Sequence, residues 1–118
     1  MFHLLSSNEK EILIIMNITF IGGGNMASAL INGLLQQGYL AKQLHVVEIN
    51  AESREKIKDI FGVSALADLE SGVIDTDVIV LSVKPQHLHD LTQQLSPFLK
   101  RQLIISIVAG IRVGDIAR

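Results

Sequence analysis

The chain of 118 residues contains no cysteine. Disulfides and thiolate zinc sites are excluded, and the composition fits a reducing compartment. Charge is also scarce: Asp, Glu, Lys and Arg make up 19% of residues, against about 25% in an ordinary soluble domain. That deficit implies a surface meant to be covered. The net charge of −2 gives no electrostatic case for nucleic acid as a partner. No apolar run suits a membrane span, and the longest near the N-terminus is only Ile12 to Met16. The leader from Met1 to Glu11 has no basic start, and Glu9, Lys10 and Glu11 interrupt it, so it does not read as a signal peptide. A cytoplasmic protein is expected. Two catalytic motifs are missing as well: no G-x-x-x-x-G-K-[ST] loop follows a strand, and no G-x-S-x-G elbow occurs. His87 and His89, two apart on a helix, do not face one another, so no metal site is expected.

Glycine is present where it matters. Ile18-Thr19-Phe20-Ile21 runs as a strand into Gly22-Gly23-Gly24, which runs into the helical pattern starting near Asn25. Gly22, Gly24 and Ala27 fit the G-x-G-x-x-G/A fingerprint of a dinucleotide-binding unit. Gly22 permits the tight turn, Gly24 lets a pyrophosphate approach the backbone, and Ala27 lets the helix pack closely on the sheet. The helix start then offers free N–H groups and a partial positive charge. Alone, the motif also fits an ordinary glycine-rich turn.

Strands and helices alternate after it. Helix one, carrying Leu30, Ile31, Leu34 and Leu35, stops at Gly38. Strand two is expected at Leu44 to Ile49. Asn50 caps helix two, Ala51 to Phe61, with Ile57, Ile60 and Phe61 as its inner face. Strand three is Val63 to Ala65, and a short helix around Ala67 to Ser71 is closed by Gly72. Strand four, Val78 to Val83, is almost continuously apolar, as a parallel strand covered on both faces should be. Pro85 opens helix four, with Leu88, Leu91 and Leu95 as its stripe and Pro97 near its end. Strand five is Leu103 to Val108, then an Ala109-Gly110 turn and the start of a helix at Val113 to Arg118. The pattern predicts an α/β, doubly wound parallel sheet of about five strands, a Rossmann-type domain that stops before its own completion. Residues 1–15 read as an N-terminal appendage and 16–118 as the domain.

Two strand ends carry candidate chemistry. Glu48 ends strand two, where an acid roughly 20 residues past the glycine loop bonds the adenosine ribose and repels a 2′-phosphate. A solvated strand-end glutamate is the plainer alternative. Ser82-Val83-Lys84-Pro85 ends strand four on the same edge. Lys84 stands before a helix start, where a cation is unfavourable by roughly 0.3–1 kcal/mol, which hints at a ribose or phosphate oxygen or a backbone carbonyl as its partner. Ile107-Val108-Ala109-Gly110 leaves room for a flat ring at the end of strand five. Asp75 and Asp77 read as turn residues.

Three stretches, Phe20-Ile21-Gly22-Gly23-Gly24-Asn25-Met26-Ala27, Leu81-Ser82-Val83-Lys84-Pro85-Gln86 and Ile105-Ser106-Ile107-Val108-Ala109-Gly110-Ile111, resemble in order and spacing the signatures of pyrroline-5-carboxylate reductase. The resemblance runs from about Met16 to Arg118. It implies hydride transfer from NAD(P)H to 1-pyrroline-5-carboxylate, giving L-proline. It also implies that Ile21, Gly22, Gly23, Gly24, Asn25 and Met26 hold the pyrophosphate, that Ser82, Val83, Lys84 and Pro85 flank ribose and nicotinamide, and that Val108 and Ala109 line the nicotinamide end. The family continues with a further strand and a helical domain that forms a homodimer or higher oligomer and most of the imine site, so catalytic residues are expected beyond Arg118. Two departures stand out. Glu48-Ile49 replaces the Asn or Ser followed by Arg of NADPH-using members, leaning the chain towards NADH unless Arg54 reaches in. Asp68-Leu69 stands near the asparagine that many members carry before the third helix. A non-catalytic dinucleotide-binding module and a 3-hydroxyacid-dehydrogenase-type domain are the alternatives.

Overall fold

The computed structural model describes residues 16–107. The appendage, Val108, Ala109 and the helix expected from Val113 lie outside the described residues. Five strands form one parallel sheet in the order β3-β2-β1-β4-β5. They are β1 (Ile18–Ile21), β2 (Leu44–Val47), β3 (Ser64–Leu66), β4 (Val78–Leu81) and β5 (Leu103–Ser106). The helices are α1 (Asn25–Gln36), α2 (Ala51–Phe61), α3 (Leu69–Val73) and α4 (Pro85–Leu95).

β1 is buried at every position because it sits centrally, with Ile18 opposite both Leu44 and Val78. Alternate residues therefore serve two cores. Ile18 and Phe20 face Ala27 and Ile31 of α1 and Ile57 of α2. Ile21, with Val47, Ile79 and Leu81, faces Val73 of α3 and Leu95 of α4. Full burial of one such side chain contributes about 1.5–3 kcal/mol, so these layers, rather than local propensity, hold the short strands. Thr19 is the polar exception, at 0% exposure. Its hydroxyl donates to the Gly72 carbonyl at 2.7 Å and lies 3.0 Å from Thr76 Oγ1, which reaches the Asn17 carbonyl at 2.9 Å. The network ties α3 to β1 and satisfies a group whose stranding would cost about 1–3 kcal/mol.

Several expected boundaries shift. β2 ends at Val47 and β4 at Leu81, the partners of Ile21, where β1 itself gives way to the glycine loop. β5 ends at Ser106, although the Ile107 amide still donates to the Leu81 carbonyl at 2.9 Å. β3 lies one residue later than expected, at Ser64–Leu66. The short helix runs Leu69–Val73, capped by Asp68, whose carboxylate accepts from the Ser71 amide at 3.1 Å. Gly72 does not close that helix. It is buried within it, where a Cβ would overlap Val47. Ile60 is not an inner residue of α2; it is 70% exposed, while Ile57 alone is buried there. Gly62, left-handed at φ 70°, ends α2 as expected, and Pro97 falls in the 3₁₀ turn Ser96–Phe98 after α4.

Candidate functional site

The strand order reverses between β1 and β4. α1 leaves one face of the sheet there and α4 the other, and ligands of doubly wound sheets bind in the resulting crevice at the strand C-termini. The glycine loop stands at this point. The Gly22 amide donates to the Val47 carbonyl at 2.9 Å and the Ser82 amide to the Ile21 carbonyl at 2.9 Å, so the loop starts clamped between β2 and β4. Gly22 has φ 100°, and a Cβ on it would lie 2.5 Å from the Ser82 carbonyl oxygen. A Cβ on Gly23 would meet Ile57 Cδ1 at 2.5 Å and Glu48 Oε1 at 3.3 Å. On Gly24 it would meet nothing within 4 Å among the described residues. Three adjacent glycines thus have three different reasons to be glycine, and only the third faces open space.

Gly24 is the N-cap of α1 and supplies no side-chain cap. The first intrahelical bond is Ser28 N–H to the Gly24 carbonyl at 3.0 Å. The amides of Asn25, Met26 and Ala27 therefore precede the helical ladder, and no acidic residue occupies the first turn. Among the described residues, the open space over Gly24, the amides left without a partner and the uncompensated helix dipole fit a dinucleotide pyrophosphate.

Glu48, half-buried beyond β2, bridges two backbone segments. Oε1 accepts from the Gly23 amide at 3.0 Å and Oε2 from the Asn50 amide at 2.9 Å. Asn50 in turn caps α2 through Oδ1 and the Ser53 amide at 2.9 Å. Arg54, in the first turn of α2, donates from Nη1 to the carbonyls of Glu48 at 2.7 Å and Ile49 at 3.0 Å. Its cation thus reaches the β2 end, a placement the sequence left open. The Asn50 cap was legible from the sequence; the bond between Glu48 and the glycine loop was not, since no periodicity signals a contact across 25 residues.

Ser82 and Val83 are half-buried beside the loop, and Lys84 and Pro85 are exposed. Ser82 Oγ is buried without a hydrogen-bond partner among the described residues. Lys84 is the N-cap of α4 but makes no side-chain cap; its carbonyl accepts from the His87 amide at 2.9 Å. A crevice of about 410 Å³ opens beneath the loop, walled by Gly22, Glu48, Ile49 and Val83 above and by Ala67 and Leu69 on its β3 side. His87, Asp90 and Gln94 of α4 form its polar wall. Sequence reading missed this wall, because helical spacing assigned α4 only its apolar stripe. Asp68, beside the crevice, has its carboxyl held below the ordinary value by hydrogen bonds from the Ser71 amide and hydroxyl. A hollow of about 510 Å³ lies at the opposite edge, against Lys100, Arg101 and Asp77, the N-terminal side of the strands, away from the loop. Among the described residues no three His, Cys, Asp or Glu side chains cluster as a metal site, and no helix is long and apolar enough to cross a membrane.

A parallel sheet with a glycine loop and free helix amides at its switch point defines a dinucleotide-binding domain of the Rossmann class. The chain belongs to the family described as NADP oxidoreductase, coenzyme F420-dependent, whose model matches residues 17–110. Among characterised proteins, it is 48% identical over 95 residues to a pyrroline-5-carboxylate reductase of Pseudomonas aeruginosa, covering 80% of this chain and 35% of that one. It is 44% identical over 101 residues to the enzyme of that name from Pasteurella multocida, covering 82% and 37%. A solved pyrroline-5-carboxylate reductase from Coxiella burnetii superposes with a TM-score of 0.75 at 34% identity, covering 86% of this chain and 38% of that one. The chain thus spans little more than a third of the length of these relatives.

Proposed function

We propose that this chain is the cofactor-binding part of a pyrroline-5-carboxylate reductase. In that reaction NAD(P)H supplies a hydride to the C=N carbon of 1-pyrroline-5-carboxylate, and with a proton on nitrogen the product is L-proline. The observation that carries the reading is the glycine loop: among the described residues, open space over Gly24 and amides from Asn25 to Ala27 without a hydrogen-bond partner, held at the switch point by bonds to β2 and β4. The relatives' names support the reductase over a non-catalytic module or a hydroxyacid dehydrogenase.

In this reading Ile21 to Met26 cradle the pyrophosphate and Glu48 accepts from the ribose hydroxyls. Ser82, with its unpartnered buried hydroxyl, and Val83, Lys84 and Pro85 flank ribose and nicotinamide; Val108 and Ala109 line the nicotinamide end. Glu48 favours NADH, and Arg54 partly offsets its repulsion of a 2′-phosphate. The whole protein works in the cytoplasm as a homodimer or larger oligomer. The chain's task is to bind and orient, since the hydride chemistry belongs to the cofactor. Holding both reactants at near-attack distance is worth several kcal/mol of barrier, and the groups that hold the imine are proposed to lie outside these 118 residues. The chain alone is therefore expected to bind NADH, seen by fluorescence titration, without imine-dependent NADH oxidation. Absence of dinucleotide binding by the folded chain would overturn the reading, and steady turnover would place the catalytic groups within the chain.

A further inference from the structure

The α4 wall of the crevice beneath the glycine loop is unlike the others. His87, Asp90 and Gln94 stand at i, i+3 and i+7 on that helix, so they share one face. Apart from Glu48 at the rim, the rest of the lining is mostly apolar and includes Ile49 beyond β2, Leu69 of α3 and Leu91 of α4. Ile49 is 87% exposed, so it serves no core among the described residues. At about 410 Å³ the crevice has the size of a small-molecule site. Apolar walls with a few convergent polar groups hold a planar ring by its faces and read it by its edge.

In the proposed binding mode Glu48 holds a ribose. The base on that ribose then falls into this crevice, which Glu48 itself helps to line. An ionised carboxylate such as Asp90 only accepts hydrogen bonds, while the Gln94 amide both donates and accepts. Adenine presents a 6-amino donor beside ring-nitrogen acceptors, the pattern that such a pair matches. A purine with a carbonyl at position 6 sets its oxygen against the carboxylate, acceptor against acceptor, and leaves the bond unmade. Resting on the dinucleotide reading of the loop, we propose that Asp90 selects the base of the dinucleotide: it accepts from the 6-amino group of an adenine, Gln94 completes the polar edge, and a 6-oxopurine is disfavoured. The glycine loop and Glu48 recognise what all such dinucleotides share, whereas the α4 wall distinguishes one base from another.

The test titrates the full chain, by nicotinamide fluorescence, with NADH and with reduced nicotinamide hypoxanthine dinucleotide, which carries a carbonyl in place of the 6-amino group. Asp90 is exposed, so NADH is expected to bind only about tenfold tighter than the hypoxanthine analogue, far below the discrimination of a buried hydrogen-bonding site. Asp90→Asn keeps the shape of the side chain and adds a donor that suits the 6-oxo group, so the preference should shrink to about twofold or less. Both ligands carry the same charge, so the ratio of their affinities is insensitive to the charge this variant removes. The exposed position makes loss of folding no explanation of the result, and thermal unfolding of the variant checks it. Equal affinities for the two dinucleotides in the unmodified chain would overturn the proposal while leaving the dinucleotide reading intact. A preference that survives Asp90→Asn undiminished would do the same, assigning the choice of base to another group. Failure of the folded chain to bind either dinucleotide would overturn the reading of the loop and this assignment with it.

Discussion

The two ends of the glycine loop are two residues apart and obey different constraints. At the strand end, Gly22 combines φ 100° with a Cβ direction that runs into the Ser82 carbonyl of β4. At the helix end, Gly24 has an extended backbone, φ −78° and ψ −168°, that any residue adopts, and among the described residues nothing lies within 4 Å of its missing Cβ. The first glycine is demanded by the fold and the last by nothing among the described residues. Where the fold makes no demand, a ligand is the reason left for an open backbone. Between them, Gly23 belongs to both regimes, since its Cβ would press on Ile57 of the core while its amide already serves Glu48.

Replacement of Gly22 tests the fold's end of the comparison and is expected to have the largest effect. Gly22→Ala places a side chain in the left-handed region, at a cost of about 1–3 kcal/mol, and forces the β4 end away from β1. The melting temperature should fall by roughly 10 °C or more, whatever ligand is present. A fall of no more than about 2 °C in thermal unfolding would show that the β1–β4 clamp yields readily, and the contrast between the two glycines would lose its basis.

Gly24→Val tests the ligand's end. The variant should melt close to the parent, because its Cβ meets no described atom within 4 Å, yet NADH affinity should fall at least tenfold, about 1.4 kcal/mol. Both halves of that outcome are needed. A stable variant with undiminished affinity in fluorescence titration would remove the loop from the binding argument. A variant that unfolds would show that the open space over Gly24 is closed in solution.

The same contrast explains how much the sequence disclosed. Element order, the central apolar strands, the Asn50 cap, the Gly38 and Gly62 stops and the proline at the start of α4 were all legible, because each rests on a local rule. The misses are contacts between segments. Gly72 looked like a helix terminator because glycine often is one; the actual cause is close approach to Val47 of β2. Ile60 looked buried because isoleucine at helical spacing usually is, but α2 is a peripheral helix and turns that position outward. At the site, the loop itself could be read directly. The carboxylate bridge from Glu48 to Gly23 and Asn50, the Arg54 bond to the β2 end, and the His87, Asp90 and Gln94 wall required the fold to bring distant residues together.

Glu48 lies where the two regimes meet, and its replacement should produce the smallest change. Each of its carboxylate oxygens accepts from a backbone amide, one in the glycine loop and one at the start of α2. Its charge therefore sits at the β2 end, which in the proposed binding mode adjoins the ribose 2′ position. A like charge there penalises NADPH relative to NADH, while the Arg54 guanidinium, 2.7 Å from the Glu48 carbonyl oxygen, works in the opposite sense. Glu48→Ser removes the repulsion and keeps the arginine, so the NADH-to-NADPH affinity ratio should fall roughly fivefold, about 1 kcal/mol. NADH binding should itself weaken, because serine is too short to span both amides and offers the ribose a poorer acceptor. Titration of both cofactors at physiological salt separates the possibilities. If both affinities drop by the same factor, Glu48 only fastens the loop and belongs with Gly22 on the structural side. If the unmodified chain already binds NADPH more tightly, Arg54 outweighs the carboxylate, and the preference assigned to this site is reversed.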